Sequence, residues 1–359
     1  MRKKMVTIWV AAVSLIAAAP ASLLAACGQA FCPIETSSIV ENPLGGGQLY
    51  VNFGYEYIDQ DRPFIGTSRT KVGELPREHN EISTRNHTYK FTLDYGITPR
   101  FTLGVMLPLL DRLHRHVEHG EHTDHDEGGD HENDDHGLEQ AEEGRTPKRW
   151  RYIALGDIQL TGRYLLLQAA TPYSPSLSLI FGAKLPTGRT SVRNRLGERA
   201  ELTLQPGNGS WDGILGFTYV QNFAAATLRR GAALAPLFAT VLWRFPVGVG
   251  KFGYEPGSEL FLNVGMAYPL LHKLELLGQL NFHYRDRDDV GHAPGVVQAD
   301  TGREQLFLSP GVRYHITDSM AVYAFMQFAV YRRVNGIQLT SDWNFTSGIF
   351  YRFDLFSYA

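Results

Sequence analysis

Beyond its first 26 residues the sequence has no run of 18 consecutive apolar residues, which excludes a bundle of transmembrane helices. Cysteine is nearly missing: Cys27 and Cys32 are the only two, too few for a disulfide scaffold. A surplus of either charge is missing too. Lys and Arg number 34 against 37 Asp and Glu, a formal charge of −3, so no nucleic-acid partner is implied. No amphipathic 3.6-residue period is evident after the first segment, so the chain is not expected to be helical. Lys184-Leu185-Pro186-Thr187-Gly188 has neither the glycine-rich lead nor the following helix of a phosphate loop. No His-x-Ser-Asn-Gly-like segment offers the serine and histidine of a lipid hydrolase, so no catalytic residue is assigned and an enzyme is not expected.

What is present begins with an export signal. Arg2, Lys3 and Lys4 precede an apolar stretch from Met5 to Ala19 and then small residues, so residues 1–26 read as a cleaved leader. Leu24-Ala25-Ala26-Cys27 fits the pattern before a lipid-modified cysteine, while Cys27 and Cys32 are also spaced to close a small disulfide loop. Both readings stay open. Residues 27–46 are expected to form a periplasmic N-terminal segment.

The dominant period over the rest of the chain is two. Leu49, Val51, Phe53, Tyr55 and Tyr57 alternate with Gln48, Asn52, Gly54 and Glu56; Leu276, Leu280, Phe282 and Tyr284 alternate with Glu275, Gln279, Asn281 and His283. Such alternation is a strand signal. Counting these segments predicts about twelve strands, near 47–59, 85–96, 100–112, 151–167, 176–187, 210–222, 233–247, 257–270, 274–286, 304–315, 319–332 and 337–354. Most are longer than the ~5–6 residues of soluble strands and reach the ~9–11 needed to cross a bilayer at a tilt. Short connections such as Ile97-Thr98-Pro99 alternate with long polar ones at 60–84, 113–150, 188–209 and 287–303. That is the outer-membrane pattern of short periplasmic turns and long external loops.

The fold class predicted is therefore all-β: a transmembrane antiparallel barrel over 47–354 in a bacterial outer membrane. In hydrocarbon an open sheet edge has unpaired backbone groups, so the sheet has to close. Outer-membrane lipid is the implied surrounding, and oligomeric state is not legible. Lys90, Asp94, Asp157, Arg163, Lys184, Glu275, His283, Arg285, Arg313 and Arg352 fall on the polar face and are expected to line the lumen. Charges of both signs tolerate that position only if the interior is wet or internally paired. A solute conduit and a salt-bridged filling are the two readings.

The segment 113–150 is expected to be an external loop rich in histidine and acid. His114, His116, His119, His122, His125, His131 and His136 supply seven of the thirteen histidines, interleaved with Asp and Glu. Imidazole suits zinc, copper and nickel, so weak capture of a divalent metal is one expectation; titration near pH 6.5 and a plain solvated loop are others. No other cofactor is expected.

Several motifs carry a resemblance. Gly156-Asp157-Ile158-Gln159-Leu160-Thr161-Gly162-Arg163-Tyr164, Lys184-Leu185-Pro186-Thr187-Gly188 and Leu204-Gln205-Pro206-Gly207-Asn208-Gly209 are similar to those of a proteobacterial barrel family. Leu308-Ser309-Pro310-Gly311-Val312 and Tyr331-Arg332-Arg333-Val334-Asn335-Gly336 are similar to its last strands. Over roughly 45–354 the chain resembles the meta-pathway of phenol degradation, or transporter-like, family. The resemblance implies passage of a small solute, an aromatic or hydrophobic compound, and brings no catalytic residues. The histidine-rich insertion departs from it and adds divalent metal as a candidate solute. A metal-binding surface protein anchored by its barrel and a lipid hydrolase are the alternatives. The chain also continues past Phe353, the aromatic expected as terminal assembly signal, with Phe356 a second candidate.

Overall fold

The computed structural model describes residues 34–37, 43–71, 81–119, 145–227, 231–293 and 296–356. The leader, Cys27 and Cys32, and His122, His125, His131 and His136 lie outside the described residues, as does the side chain of His119.

Strands follow one another in chain order: β1 (Gln48–Gln60), β2 (Arg62–Gly66), β3 (Ser68–Arg69), β4 (Glu81–Thr98), β5 (Phe101–His119), β6 (Arg145–Leu155), β7 (Gln159–Leu167), β8 (Ser176–Lys184), β9 (Trp211–Thr227), β10 (Gly231–Val247), β11 (Glu259–Leu271), β12 (Leu274–Arg285), β13 (Arg303–His315), β14 (Met320–Thr340) and β15 (Trp343–Asp354). Neighbours in sequence pair antiparallel around the wall, β15 pairs with β1, and β13 pairs with β14, so the ring has no free edge. β6 and β7 occupy one wall position, both against β5, and β2 with β3 is a hairpin on the outer part of β14. The wall thus has twelve positions.

The period-two pattern is what orients the wall. In β1, Asn52, Glu56 and Gln60 are buried in the lumen while Phe53 is exposed on the outside. Leu262, Val264, Leu280 and Leu308 are likewise exposed on the outer face, with Asn263, Asn281 and Ser309 buried between them. An apolar outer face around a polar interior is stable only in lipid. Tyr57, Trp211, Trp243, Tyr284 and Trp343 stand outward near the long-loop end; Tyr95, Tyr164, Tyr268, Tyr314 and Tyr351 stand outward near the short-turn end. From Trp343 to Tyr351, at ~3.3 Å per residue and a tilt of ~40°, the apolar band rises roughly 20 Å, near the ~25 Å of such barrels. The molecule is an outer-membrane β-barrel.

Four sequence expectations need correction. Strands β5 and β6 pair from Leu109↔Leu155 to His119↔Arg145, so the expected loop 113–150 is entered by strand at both ends. The alternation simply continues: Arg112, His114 and His116 are buried while Arg115 is exposed. The expected break at 333–336 is a bulge within β14, where Gly336 takes φ +52° and Ile337 donates its N–H to Asp300. The real turn is at 341–342, so the last outer connection is tight. Third, the strand expected over 151–167 is interrupted at Gly156–Ile158, opposite Pro108, which lacks an N–H and whose carbonyl accepts from Gly156 at 2.9 Å. Fourth, residues 27–46 are not all periplasmic: Ile34–Ser37 lie inside the barrel, because Ile34 finds apolar cover there beside Tyr50, Leu277, Phe325 and Phe350.

Candidate functional site

The lumen contains one arc of alternating charge built strand by strand. Lys184 on β8 stands opposite Asp212 on β9, Arg244 on β10 opposite Glu259 on β11, and Glu259 opposite Arg285 on β12. Lys184 Nζ lies 3.1 Å from Asp157 and 3.0 Å from Asp212. Arg244 reaches Glu259 at 2.6 Å; Glu259 also meets His283 Nε2 at 3.1 Å and Arg285 at 3.7 Å. Arg285 continues to Asp288 at 2.5 Å, and Asp288 accepts from the Tyr254 hydroxyl at 2.6 Å. From Lys184 to Arg285 each charge of the arc sits between opposite charges, which is what allows it to leave bulk water. Tyr254 lies in the outer loop before β11, where burial and then Asp288 push its hydroxyl well above the usual tyrosine range.

Three of the sequence motifs meet at one knot. Asp157 Oδ1 accepts from the Gly188 N–H at 2.8 Å, Thr187 Oγ1 accepts from the Ile158 N–H at 2.9 Å, and Lys184 donates to Asn208 Oδ1 at 2.8 Å. A Cβ on Gly188 would stand 2.8 Å from Gly207 Cα, and one on Gly207 would stand 2.6 Å from Asp157 Oδ1, so both positions need glycine. The knot turns the loop 185–210 into the barrel mouth, where Arg112 donates to the carbonyls of Thr203 and Leu204, and Tyr152 to Leu204. Leu202, Tyr254, Ala293 and Val296 then form a small apolar cap. Within it Glu201 is buried near Glu81 and Asp300, and burial first, then those neighbours, raise its carboxyl well above the usual carboxylate range.

Between this cap and the Ile34–Ser37 segment lies a cavity of about 390 Å³. Seven basic residues (Lys90, Arg112, Arg163, Lys184, Arg244, Arg285, Arg303) and six acidic ones (Glu35, Glu56, Asp94, Asp157, Asp212, Glu259) line it. Met106, Pro108 and Leu110, successive inward residues of β5, with Ile180 and Leu242, add an apolar wall.

Of the residues expected in the lumen, Lys90, Asp94, Asp157, Arg163, Lys184, His283 and Arg285 line this cavity. Lys90 pairs with Glu56, and Asp94 and Arg163 are within electrostatic reach of each other. Glu275 and Arg313 pair with each other at 2.9 Å near the short-turn end, and Arg352 stands there across from Tyr50. Arg112, Arg244 and Arg303 were not singled out by the sequence reading. Arg244 has a legible signal, since it falls between the outward Trp243 and Phe245; Arg112 is the last residue of the expected strand 100–112, where the alternation that turns it inward is hard to read, although β5 runs on to His119. His114, expected as a metal ligand, is instead buried and bonded through Nδ1 to Thr84 Oγ1 at 2.8 Å, with His116 and Trp150 packed beside it. Among the described residues no group of three His, Cys, Asp or Glu is placed to hold a metal.

A family model described as "Putative MetA-pathway of phenol degradation" matches residues 152–343, just over half the chain. No curated protein matches the sequence. Among solved structures, the COG4313 outer membrane channel from Pseudomonas putida F1 is similar with a TM-score of 0.55 at 15% identity, over 89% of this chain and 100% of that one. At that identity the likeness establishes the fold. A Pseudomonas aeruginosa FadL homologue (TM-score 0.38, 12% identity, 94% and 98% covered) and the transport unit of the Escherichia coli autotransporter AIDA-I (0.42, 9%, 87% and 92%) are looser likenesses and carry no argument.

Proposed function

The chain belongs to this phenol-degradation family, and we propose that it is an outer-membrane channel passing a small amphipathic solute, one with an aromatic or other apolar body and at least one polar group. The observation that carries the reading is the mixed lining of the lumen cavity. Met106, Pro108 and Leu110 offer an apolar strip the length of three inward positions, while Lys90, whose backbone pairs with that of Pro108, stands beside it with a charge. A wholly charged conduit would give an apolar body nothing to replace its lost water contacts, and a wholly apolar one would strip a polar group without compensation. The volume, about 390 Å³, lies within the ~300–1,000 Å³ typical of small-molecule sites. The name of the similar channel and the family's description support the same reading.

The test is permeation into proteoliposomes of purified protein. Phenol-sized aromatic alcohols and acids should enter faster than a disaccharide and faster than into protein-free vesicles. Equal rates with and without protein for every solute would end the proposal.

A further inference from the structure

The outer wall bears a cluster of cations that the lumen does not use. Asn86 on β4, His114 on β5 and Trp150 on β6 are buried, and their strand neighbours Arg85, Arg115, Arg149 and Arg151 point outward and are exposed. Arg115 is the cross-strand partner of Arg149, and Leu113 separates Arg85 from Arg151 in the next row. Opposed strand residues stand ~5 Å apart and successive outward ones roughly 6.6 Å, so Arg115, Arg149 and Arg151 share one patch.

Like charges directly opposed destabilise a strand pair. Elsewhere on the outer face arginine has an acid: Arg85 meets Asp59 at 3.4 Å, and Arg333 meets Glu304 at 3.9 Å. Arg115, Arg149 and Arg151 make no side-chain hydrogen bond or ion pair among the described residues. Asp111, an outward acid of β5, stands two positions below Leu113, opposite His87 and Ile153.

What lies below the patch decides its ligand. β6 descends from the long-loop end, and the outward residues after Arg151 are Ile153 and Leu155, 64% and 60% exposed. Exposed apolar residues on this wall face acyl chains, so the arginines stand where chains end and headgroups begin. Guanidinium binds phosphate through paired N–H donors. A free anion would gain from the cations alone, whereas a molecule with phosphate above and acyl chains below gains from both parts of the surface. We propose that Arg115, Arg149 and Arg151 bind the phosphorylated headgroup of an outer-leaflet glycolipid of the lipid A class, with its chains along Ile153 and Leu155. The site is outside the lumen and does not depend on whether the barrel conducts.

Native mass spectrometry of the full mature chain released from detergent measures binding of lipid A in diphosphorylated and phosphate-free forms. Arg115→Gln/Arg149→Gln/Arg151→Gln is the test variant and Arg333→Gln the control. Each is first shown to be folded by its resistance to unfolding in SDS before heating. Wild type and Arg333→Gln should bind the diphosphorylated form at least about tenfold more tightly than the triple variant does. Removing the phosphates should lower wild-type affinity by a similar factor, a comparison that needs no variant. Equal affinity in wild type and triple variant, or for both lipid forms, would overturn the site. So would displacement of the lipid by equimolar inorganic phosphate, which would mark a plain anion site. The acidic connection 120–144 is the rival occupant. Binding by a deletion of those residues, with none by the full chain, would assign the arginines to that connection and overturn the lipid.

Discussion

Lys184→Met is the sharpest probe of the charged arc. The side chain keeps most of its length and loses its charge. In the native protein Lys184 is 7% exposed and holds Asp157 and Asp212, themselves 9% and 6% exposed, at 3.1 and 3.0 Å. Removing one partner of a buried ion pair costs ~3–5 kcal/mol, because the remaining charge is stranded. Here Asp212 retains Arg244 at 3.9 Å and Asp157 retains the Gly188 N–H, and the adjoining cavity admits water. The lower end, about 3 kcal/mol, is therefore expected. A cycle with Asp212→Asn separates stranded charge from lost packing, since neighbours that share one network do not add. The double variant should recover more than half of the loss. Urea unfolding in lipid vesicles, followed by tryptophan fluorescence, measures it. If Lys184→Met costs under ~1 kcal/mol, or if Asp212→Asn adds its own full cost on top, the arc does not stabilise the barrel in the manner argued.

Gly207→Ala should loosen the knot, since its methyl would lie 2.6 Å from Asp157 Oδ1; a loss of ~1–3 kcal/mol in the same unfolding assay is expected, together with faster proteolysis of the loop 185–210. Val264→Arg, on the exposed outer face of β11, should cost ~2–4 kcal/mol in vesicles, and a negligible cost would contradict its lipid contact. Glu201 has a raised folded pKa, so the cap is favoured while its carboxyl keeps a proton and is weakened as pH climbs through and above the ordinary carboxylate range. Protease nicking of the cap should rise with pH in the wild type and stay flat in Glu201→Gln; the opposite slope would refute the assignment.

The barrel was legible in the sequence because lipid and lumen impose opposite demands on alternate residues. Leu49 to Tyr57 and Leu276 to Tyr284 show this directly, and closure follows from the need to pair every backbone group. The same alternation placed Lys90, Asp94, Lys184 and Arg285 inward. Strand ends were less legible: Asn335-Gly336 reads as a stop but forms a bulge, and His114 reads as loop chemistry but continues a strand.

Pairing between distant elements was beyond reach of any local pattern. Period two says that Lys184, Asp212, Arg244 and Glu259 face inward; only register decides that they stand opposite one another in alternating sign. Likewise Gly188, Gly207 and Asp157 carry no sign in sequence that they touch, and Ile34–Ser37 has too little pattern to reveal where it docks. Orientation is a property of each residue and its neighbour, so the chain encodes it locally; contact depends on how a closed ring of strands brings remote residues to the same height, and that exists only once the barrel has formed.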